Sequence, residues 1–285
     1  MPKLTNIHGL PQPLVNAVAF STYSKGGADF SVSELCKPPR ITALEILHDS
    51  EIEEDASDRL WLLMGSAGHE VLRRSSNGGI VEERCEIELD GVKISGQVDY
   101  AVADKAIWDY KFISLWAIKD GVKIEHEQQI NSYRFLASQY GVEVNELKII
   151  AILRDWSKAE ASRDKSYPQS QVAVLPVRMW PDDEIRNWLR GRIKLHQAAR
   201  AGNLPECTAE EMWEKPEKFA VIKKGNQRAT KVHETAGAAI AHVASMGAGY
   251  EIEKRRAERP RCENYCSVSE KCSQYQQWKG QNESR

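Results

Sequence analysis

The stretch Ile107-Trp108-Asp109-Tyr110-Lys111-Phe112-Ile113 decides the reading of this chain. Its apolar residues fall on both faces of an extended backbone, which suits a central strand covered on both sides. A carboxylate and an ammonium are expensive there unless they pair with each other or hold a cation. Side chains alternate along a strand, so Asp109 and Lys111 share a face. The segment Gly96-Gln97-Val98-Asp99 reads as part of the neighbouring strand. A three-residue turn at Ala103-Asp104-Lys105 sets Asp99 opposite Asp109 on that same face. Two carboxylates and a lysine then converge. The bland alternative is a solvated face carrying Lys93, Ser95, Gln97 and Asp99 beside a structural Asp109–Lys111 pair, and a register slip of one residue would also remove Asp99.

Working outward, Val81 to Leu89 and Val92 to Val102 read as two strands joined by the hairpin signal Asp90-Gly91. That hairpin sets Glu82 opposite Asp99, although an exposed strand face accounts equally for Glu82 and Glu86. A helix is expected from about Ser57, a plausible N-cap, to Arg74, with Leu62, Gly65, His69 and Leu72 on one face. After the central strand come a helix from about Glu125 to Tyr140, ended by Gly141, and an apolar strand from Leu147 to Leu153. A further strand spans Val172 to Val177. Pro181-Asp182-Asp183 opens a long helix to about Ala199, with Trp188, Leu189 and Ile193 as its inner stripe.

The order helix, three strands, helix, strand predicts an α/β sandwich, a central mixed sheet flanked by helices. Residues 1–30 hold Pro11, Pro13, Gly26 and Gly27 without periodicity and read as a partly ordered leader. Residues 31–202 form the expected core. Residues 203–285 form a small appendage, with strands near Phe219 to Lys223, Ala229 to His233 and Tyr250 to Lys254 and a short helix near Ala238 to Ala244.

At 285 residues and 41% hydrophobic content the chain buries a full core without a disulfide scaffold. A formal charge of -2 supplies no global basic field, so a polyanion must be met by local patches. No apolar run of about 18 residues exists to span a membrane, and no secretory leader pattern opens the chain. The expectation is a soluble, intracellular protein with no membrane partner. In such a compartment six cysteines point to metal or reduced thiols before disulfides.

Four short patterns then line up: Gly65-x-x-x-His69 on the first helix, Gly96-x-x-Asp99, Asp109-x-Lys111, and Gln129-x-x-x-Tyr133 on the second helix. In this order, over about residues 57 to 156, they resemble the PD-(D/E)XK nucleases, within them the RecB and lambda-exonuclease group. Asp109 stands where glutamate is frequent, and Val98 where proline is. The resemblance implies a restriction-endonuclease-like αβββαβ core and a metal-dependent DNA exonuclease of phage or prophage recombination or DNA-end processing. Asp99, Asp109, Lys111, Gln129 and Tyr133 are the implied catalytic residues. Mg²⁺ or Mn²⁺ would take oxygen from Asp99, Asp109 and the Tyr110 carbonyl, while a His69 imidazole nitrogen suits Mn²⁺ better. Lys111 would position the nucleophile or offset charge on the phosphorane. Gln129 and Tyr133, four residues apart, share a helical face and could hold a DNA phosphate or a metal-bound water. The alternatives are a structure-specific or single-strand endonuclease, and an inactive module that binds only DNA or protein. The implied partners are DNA and a single-strand annealing or recombination protein, in the cytoplasm of a bacterial or phage-infected cell.

Cys262-x3-Cys266-x5-Cys272 is the second signal, since close cysteines in a reducing compartment suggest an iron-sulfur cluster or zinc. It looks like the C-terminal cluster of AddB-type and CRISPR-associated RecB-like nucleases, with the first gap one residue longer than their C-x-x-C. A [4Fe-4S] cluster is the expected cofactor and Zn²⁺ the alternative. The fourth ligand is Cys207, in a Leu-Pro-x-Cys-Thr segment similar to that of phage-type relatives, or else Cys36. Cys85 alternates with Val81, Ile87 and Leu89 and reads as core. Arg255, Arg256, Arg259, Arg261, Lys223, Lys224 and Arg228 either track a DNA backbone or form a solvated face. Tyr265 and Trp278 either stack on unpaired bases or pack around the cysteines.

Overall fold

The fold is described from a computed structural model. It covers residues 3–20, 24–75, 80–102, 105–119 and 121–283, with the side chains of 80–83, 99–102 and 283 outside the described set. In chain order the elements are β1 (Lys3–Thr5), α1 (Gln12–Ala19), β2 (Phe30–Ser31), α2 (Val32–Cys36), α3 (Pro39–Leu47), β3 (Glu53–Asp55), α4 (Leu60–Ser75), β4 (Ile80–Leu89), β5 (Val92–Val102) and β6 (Ala106–Ile113). They continue as α5 (Ile124–Ser138), β7 (Glu146–Leu153), α6 (Lys158–Arg163), β8 (Val172–Val177), α7 (Asp182–Arg200), β9 (Lys218–Lys223), β10 (Ala229–His233), α8 (Ala236–Met246), β11 (Tyr250–Arg255) and α9 (Ser273–Glu283).

The main sheet is mixed, in the order β2-β5-β6-β7-β8, with β4 on the other edge of β5. β6 and β7 run parallel, while β4–β5, β5–β6 and β7–β8 are antiparallel. The β4–β5 hairpin turns through Asp90 and Gly91 at φ of 52° and 78°, the two positive values that a type I′ turn requires. Arg190 of α7 pairs with Asp90 at 2.7 Å and ties that turn to the helical layer.

Strand β5 changes partner along its length. Near its start, Ile94 and Ser95 pair with Phe30 and Ser31 of β2; near its end, Tyr100, Ala101 and Val102 pair with Trp108, Ile107 and Ala106 of β6. β5 therefore pairs with β2 at one end and with β6 at the other, and the sheet forks between Ser95 and Tyr100. Two-residue β2 is too short to be read from sequence, and the fork depends on it.

The core lies between the sheet and helices α2, α5 and α7. Leu35, Ile94, Ile107, Ile130, Leu136, Leu147, Ile149, Ile185 and Leu189 are all in it. The α7 stripe follows helical spacing, with Leu189 and Ile193 buried and Trp188 packed at the core's margin. Helix α5 is different, because every residue from Ile130 to Ala137 is buried. Its polar members mostly find partners: Asn131 donates to the Arg178 carbonyl and accepts from the Trp180 amide, and Arg134 pairs with Asp182 at 2.7 Å through one terminal nitrogen, while its Nε has no hydrogen-bond partner among the described residues.

The other face of the sheet is thinly covered. Helix α4 begins at Leu60, after a 3-10 turn over Ala56–Arg59. The cap is the Asp55 side chain, which accepts from the Ser57 amide, so Ser57 is not the N-cap. Leu62 is 66% exposed and leaves the expected inner stripe. The physical reason is that α4 meets the sheet through its small residues. A Cβ on Gly68 would lie 2.1 Å from Phe112 Cζ of β6, so the helix rests its backbone on that ring and turns Leu62 outward. Gly68→Ala should thus destabilise the fold by about 1–3 kcal/mol through overpacking, outweighing a helix-propensity gain of about 1 kcal/mol. A urea midpoint equal to or above wild type would show that α4 is not seated this closely.

The leading residues carry more structure than their composition suggests. β1 pairs parallel with β3, and the Asp55 carboxylate accepts from the Ile7 amide and the Thr5 hydroxyl. Those donors, with Ser57, hold its carboxyl well below the usual range. Farther along the chain β10-β9-β11 form a separate antiparallel sheet beside α8. The cysteine-bearing tail packs on α3: Leu44, Ile52, Val268, Cys272 and Tyr275 make a second apolar cluster. None of the described helices is long and apolar enough to cross a membrane.

Candidate active site and cysteine cluster

Asp109 and Lys111 project from β6 into the region of the fork. Asp109 is 2% exposed, and Lys111 Nζ stands 2.7 Å from its Oδ2. That contact balances charge without the alignment of a hydrogen bond. Among the described residues, Asp109 Oδ2 is a buried oxygen with no hydrogen-bond donor. A buried carboxylate oxygen in that state costs stability.

Lys111 Nζ also donates to Gln129 Oε1 at 2.9 Å, and Gln129 Nε2 donates to Tyr133 Oη at 3.0 Å. Both residues lie on α5, one turn apart, so the strand lysine and the helix pair form a continuous chain. Gly96 lets α5 come this close. A Cβ there would meet Tyr133 Cδ1 at 2.9 Å and Leu136 Cδ2 at 3.1 Å. The Gly96 and Gln129/Tyr133 patterns are thus two halves of one contact.

His69 approaches from α4. Its ring donates to the Tyr110 carbonyl and packs against Phe112, with centroids 5.8 Å apart. Burial, together with the Lys111 ammonium, lowers its pKa, so the ring is neutral near pH 7. A nitrogen that donates to a carbonyl fixes the tautomer of the ring.

The register of β4, β5 and β6 brackets Asp99. Val81 pairs with Tyr100 and Glu83 with Val98 on one side, and Tyr100 pairs with Trp108 on the other. The pairing with β6 stops at Tyr100; continued by one residue, the two registers would set Asp99 across from Glu82 and from Asp109. The side chains of Asp99 and Glu82 lie outside the described residues.

Three contributors escaped sequence reasoning. His126, in the first turn of α5, has its pKa pushed down to about 4, first by burial and then by Lys111, while Asp109 opposes the shift. Ser33 of α2 accepts from Gln129 Nε2 at 3.4 Å. Cys36 feels Arg192, Lys111, Glu125 and Asp109, and burial pushes its thiol up to about 12. His126 lies three residues before Gln129, a spacing that could have drawn it in. Ser33 and Cys36 depend on where α2 packs, which no local pattern reveals.

Cys36 is therefore a neighbour of the Asp109 site. Four of the remaining five cysteines associate with one another: Cys207 with Cys262 and Cys272, and Cys266 with Cys262 and Cys272. Burial is the leading cause that raises Cys207 to about 12 and Cys262 to about 11. Arg40, buried, donates Nε to Cys272 Sγ at 3.2 Å, and its other nitrogens bond the Leu204 carbonyl and Ser273. Cys85 is buried in the main core. Glu86, on exposed β4, bonds Tyr140 through its backbone, away from Asp109. Among the described residues, no three His, Cys, Asp or Glu side chains already stand in ligand geometry around a common point. Trp278 stacks on Tyr275 beside the cysteines, whereas Tyr265 is exposed against Trp213.

No protein-family profile matches the chain, and no curated protein matches it. Among solved structures it is similar to a protein designated SSO0001, at 16% identity and TM-score 0.46, covering 67% of this chain and 89% of that one. A protein of Eubacterium rectale assigned as an exonuclease aligns at 13% identity and TM-score 0.33, over 50% of this chain and 55% of that one. An alkaline exonuclease from Laribacter hongkongensis aligns at 13% identity and TM-score 0.38, over 60% and 89%. Likenesses this distant carry no argument about chemistry, which rests on the site itself.

Proposed function

We propose that the chain is a divalent-metal-dependent DNA exonuclease that hydrolyses phosphodiester bonds in phage or prophage recombination or DNA-end processing. The observation that carries this reading is the buried Asp109 oxygen, beside an ammonium, that has no hydrogen-bond donor among the described residues. A purely structural ion pair gains from full hydrogen bonding. This one forgoes it, as a carboxylate kept ready for a cation does.

The residue types suit Mg²⁺ or Mn²⁺: Asp109, Asp99 and the Tyr110 carbonyl would supply hard oxygens, and His69 would supply a neutral nitrogen on turning from the Tyr110 carbonyl it now bonds. Bound there, the ion supplies Lewis acidity and a lowered pKa for the attacking water. The chain does the rest. Lys111, already 2.9 Å from Gln129, orients the nucleophile or meets charge on the phosphorane. Gln129, braced by the buried Tyr133 hydroxyl, would hold a phosphate oxygen or a metal-bound water. Cys207, Cys262, Cys266 and Cys272, which lie near one another without converging on a common point, would hold a [4Fe-4S] cluster, or Zn²⁺, by closing around it, with Arg40 donating to sulfur. DNA is the substrate, a single-strand annealing or recombination protein the partner, and the bacterial or phage-infected cytoplasm the setting.

The test is digestion of end-labelled linear and covalently closed circular DNA with Mg²⁺, Mn²⁺ or EDTA. Metal-dependent loss of the linear substrate alone is expected. Cleavage of the closed circle would make the enzyme an endonuclease, and no cleavage of either would leave only a DNA- or protein-binding module.

A further inference from the structure

Two tryptophans stand open to solvent at the same end of the main sheet. Trp61, in the first turn of α4, is 58% exposed, and Trp116, in the 3-10 turn Leu115–Ile118 that follows β6, is 71% exposed. Exposed indoles this large are costly surface unless something covers them. Each already has a cation on it: Arg154 lies 4.2 Å from the Trp61 ring centre and Lys119 4.7 Å from that of Trp116.

Their placement ties both to the Asp109 site. Trp61 shares a helical face with Gly68 and His69, seven and eight residues on, so it lies about 12 Å from His69 along the helix axis. Trp116 follows Lys111 by five residues, off the end of the same strand. Arg154 joins the two sides, because its amide donates to the Ile113 carbonyl while its guanidinium covers Trp61. The next residue, Asp155, accepts from the Leu115 amide at 2.7 Å and fixes the turn that presents Trp116.

We propose that Trp61 and Trp116 stack on unpaired bases of a single-stranded DNA terminus, with Arg154 and Lys119 meeting its phosphates, so that the site is fed with single-stranded DNA. This rests on the nuclease reading and names its substrate class. Every base has a π-face, so aromatic platforms hold single strands without regard to sequence, and neighbouring cations track the backbone. In a duplex those faces are taken up by neighbouring pairs, apart from the outer face of each end pair. A separation of about 12 Å from the site spans a few nucleotides at roughly 3.4 Å per charge on one strand.

The experiment is fluorescence anisotropy in EDTA, where nothing is cleaved, using the full chain and three labelled probes: oligothymidine, an abasic oligomer of equal length, and a blunt duplex. The double variant Trp61→Ala/Trp116→Ala should bind oligothymidine about tenfold more weakly or worse, while the double Phe variant stays near wild type. Wild type should prefer oligothymidine to the abasic oligomer by a similar factor, and duplex binding should be unchanged by either substitution. Unchanged melting confirms that the variants are folded. Equal affinity of wild type and the Ala variant for oligothymidine overturns the proposal, as does equal affinity for the abasic oligomer. Equal losses for duplex and single strand would also overturn it. A wild type that binds no DNA overturns the nuclease reading too, whereas metal-dependent cleavage by an Ala variant of undiminished single-strand affinity overturns the stacking alone.

Discussion

Asp109→Asn is expected to lower metal-dependent DNA hydrolysis by about a thousandfold, because one group of the reaction's electrostatic machinery is lost. DNA binding should persist, since phosphate contacts elsewhere remain. The melting temperature should hold or rise. Asp109 Oδ2 has no hydrogen-bond donor among the described residues, so a neutral amide removes a desolvated charge at little cost. Lys111→Ala should lose activity as well but behave oppositely in stability. It leaves a nearly buried carboxylate uncompensated, costing about 1–3 kcal/mol, a figure reduced because the Lys111 side chain keeps 20% exposure. Added Mn²⁺ should recover part of that stability in Lys111→Ala and none in Asp109→Asn. If both variants melt lower and folded Asp109→Asn keeps its rate, the pair is structural and the active-site assignment fails.

That contrast separates a functional site from an ion pair, a distinction the sequence left open. Strand alternation was enough to put Asp109 and Lys111 on one face, and the hairpin signal Asp90-Gly91 was enough to set the β4–β5 register. The expected strand at Leu147–Leu153 lies one residue inside the observed β7. Other parts were not legible for physical reasons. Helix α5 is covered on several sides, so its eight consecutive buried residues carry no amphipathic stripe. Helix α4 seats itself through a glycine, so apolar periodicity pointed to the wrong residue at Leu62. The fork depends on a two-residue strand, and Cys36 joins the Asp109 neighbourhood through the packing of α2, which the spacing of cysteines could not reveal.

The cysteine tail gives the second large effect. Cys207→Ser is expected to abolish bound metal, and Cys36→Ser to leave it untouched, because Cys207 lies with Cys262 and Cys272 while Cys36 lies with Asp109 and Lys111. Burial holds the free thiols protonated near pH 7, so metal uptake must release protons and should weaken as pH falls. Thiolate-bound structural zinc supplies on the order of 10 kcal/mol to small domains that are unfolded without it. The effect here should be smaller and local, since Leu44, Ile52, Val268 and Tyr275 already pack the tail onto α3. Loss of metal should then open residues 204–283 to protease while the main sheet stays protected. Arg40→Met should weaken retention, because the buried guanidinium that donates to Cys272 Sγ also ties Leu204 and Ser273 to α3. Anaerobically purified protein should show the broad visible absorbance of thiolate-ligated iron. Colourless protein with one equivalent of zinc would assign a structural zinc site instead, and protein with neither metal would remove the site altogether.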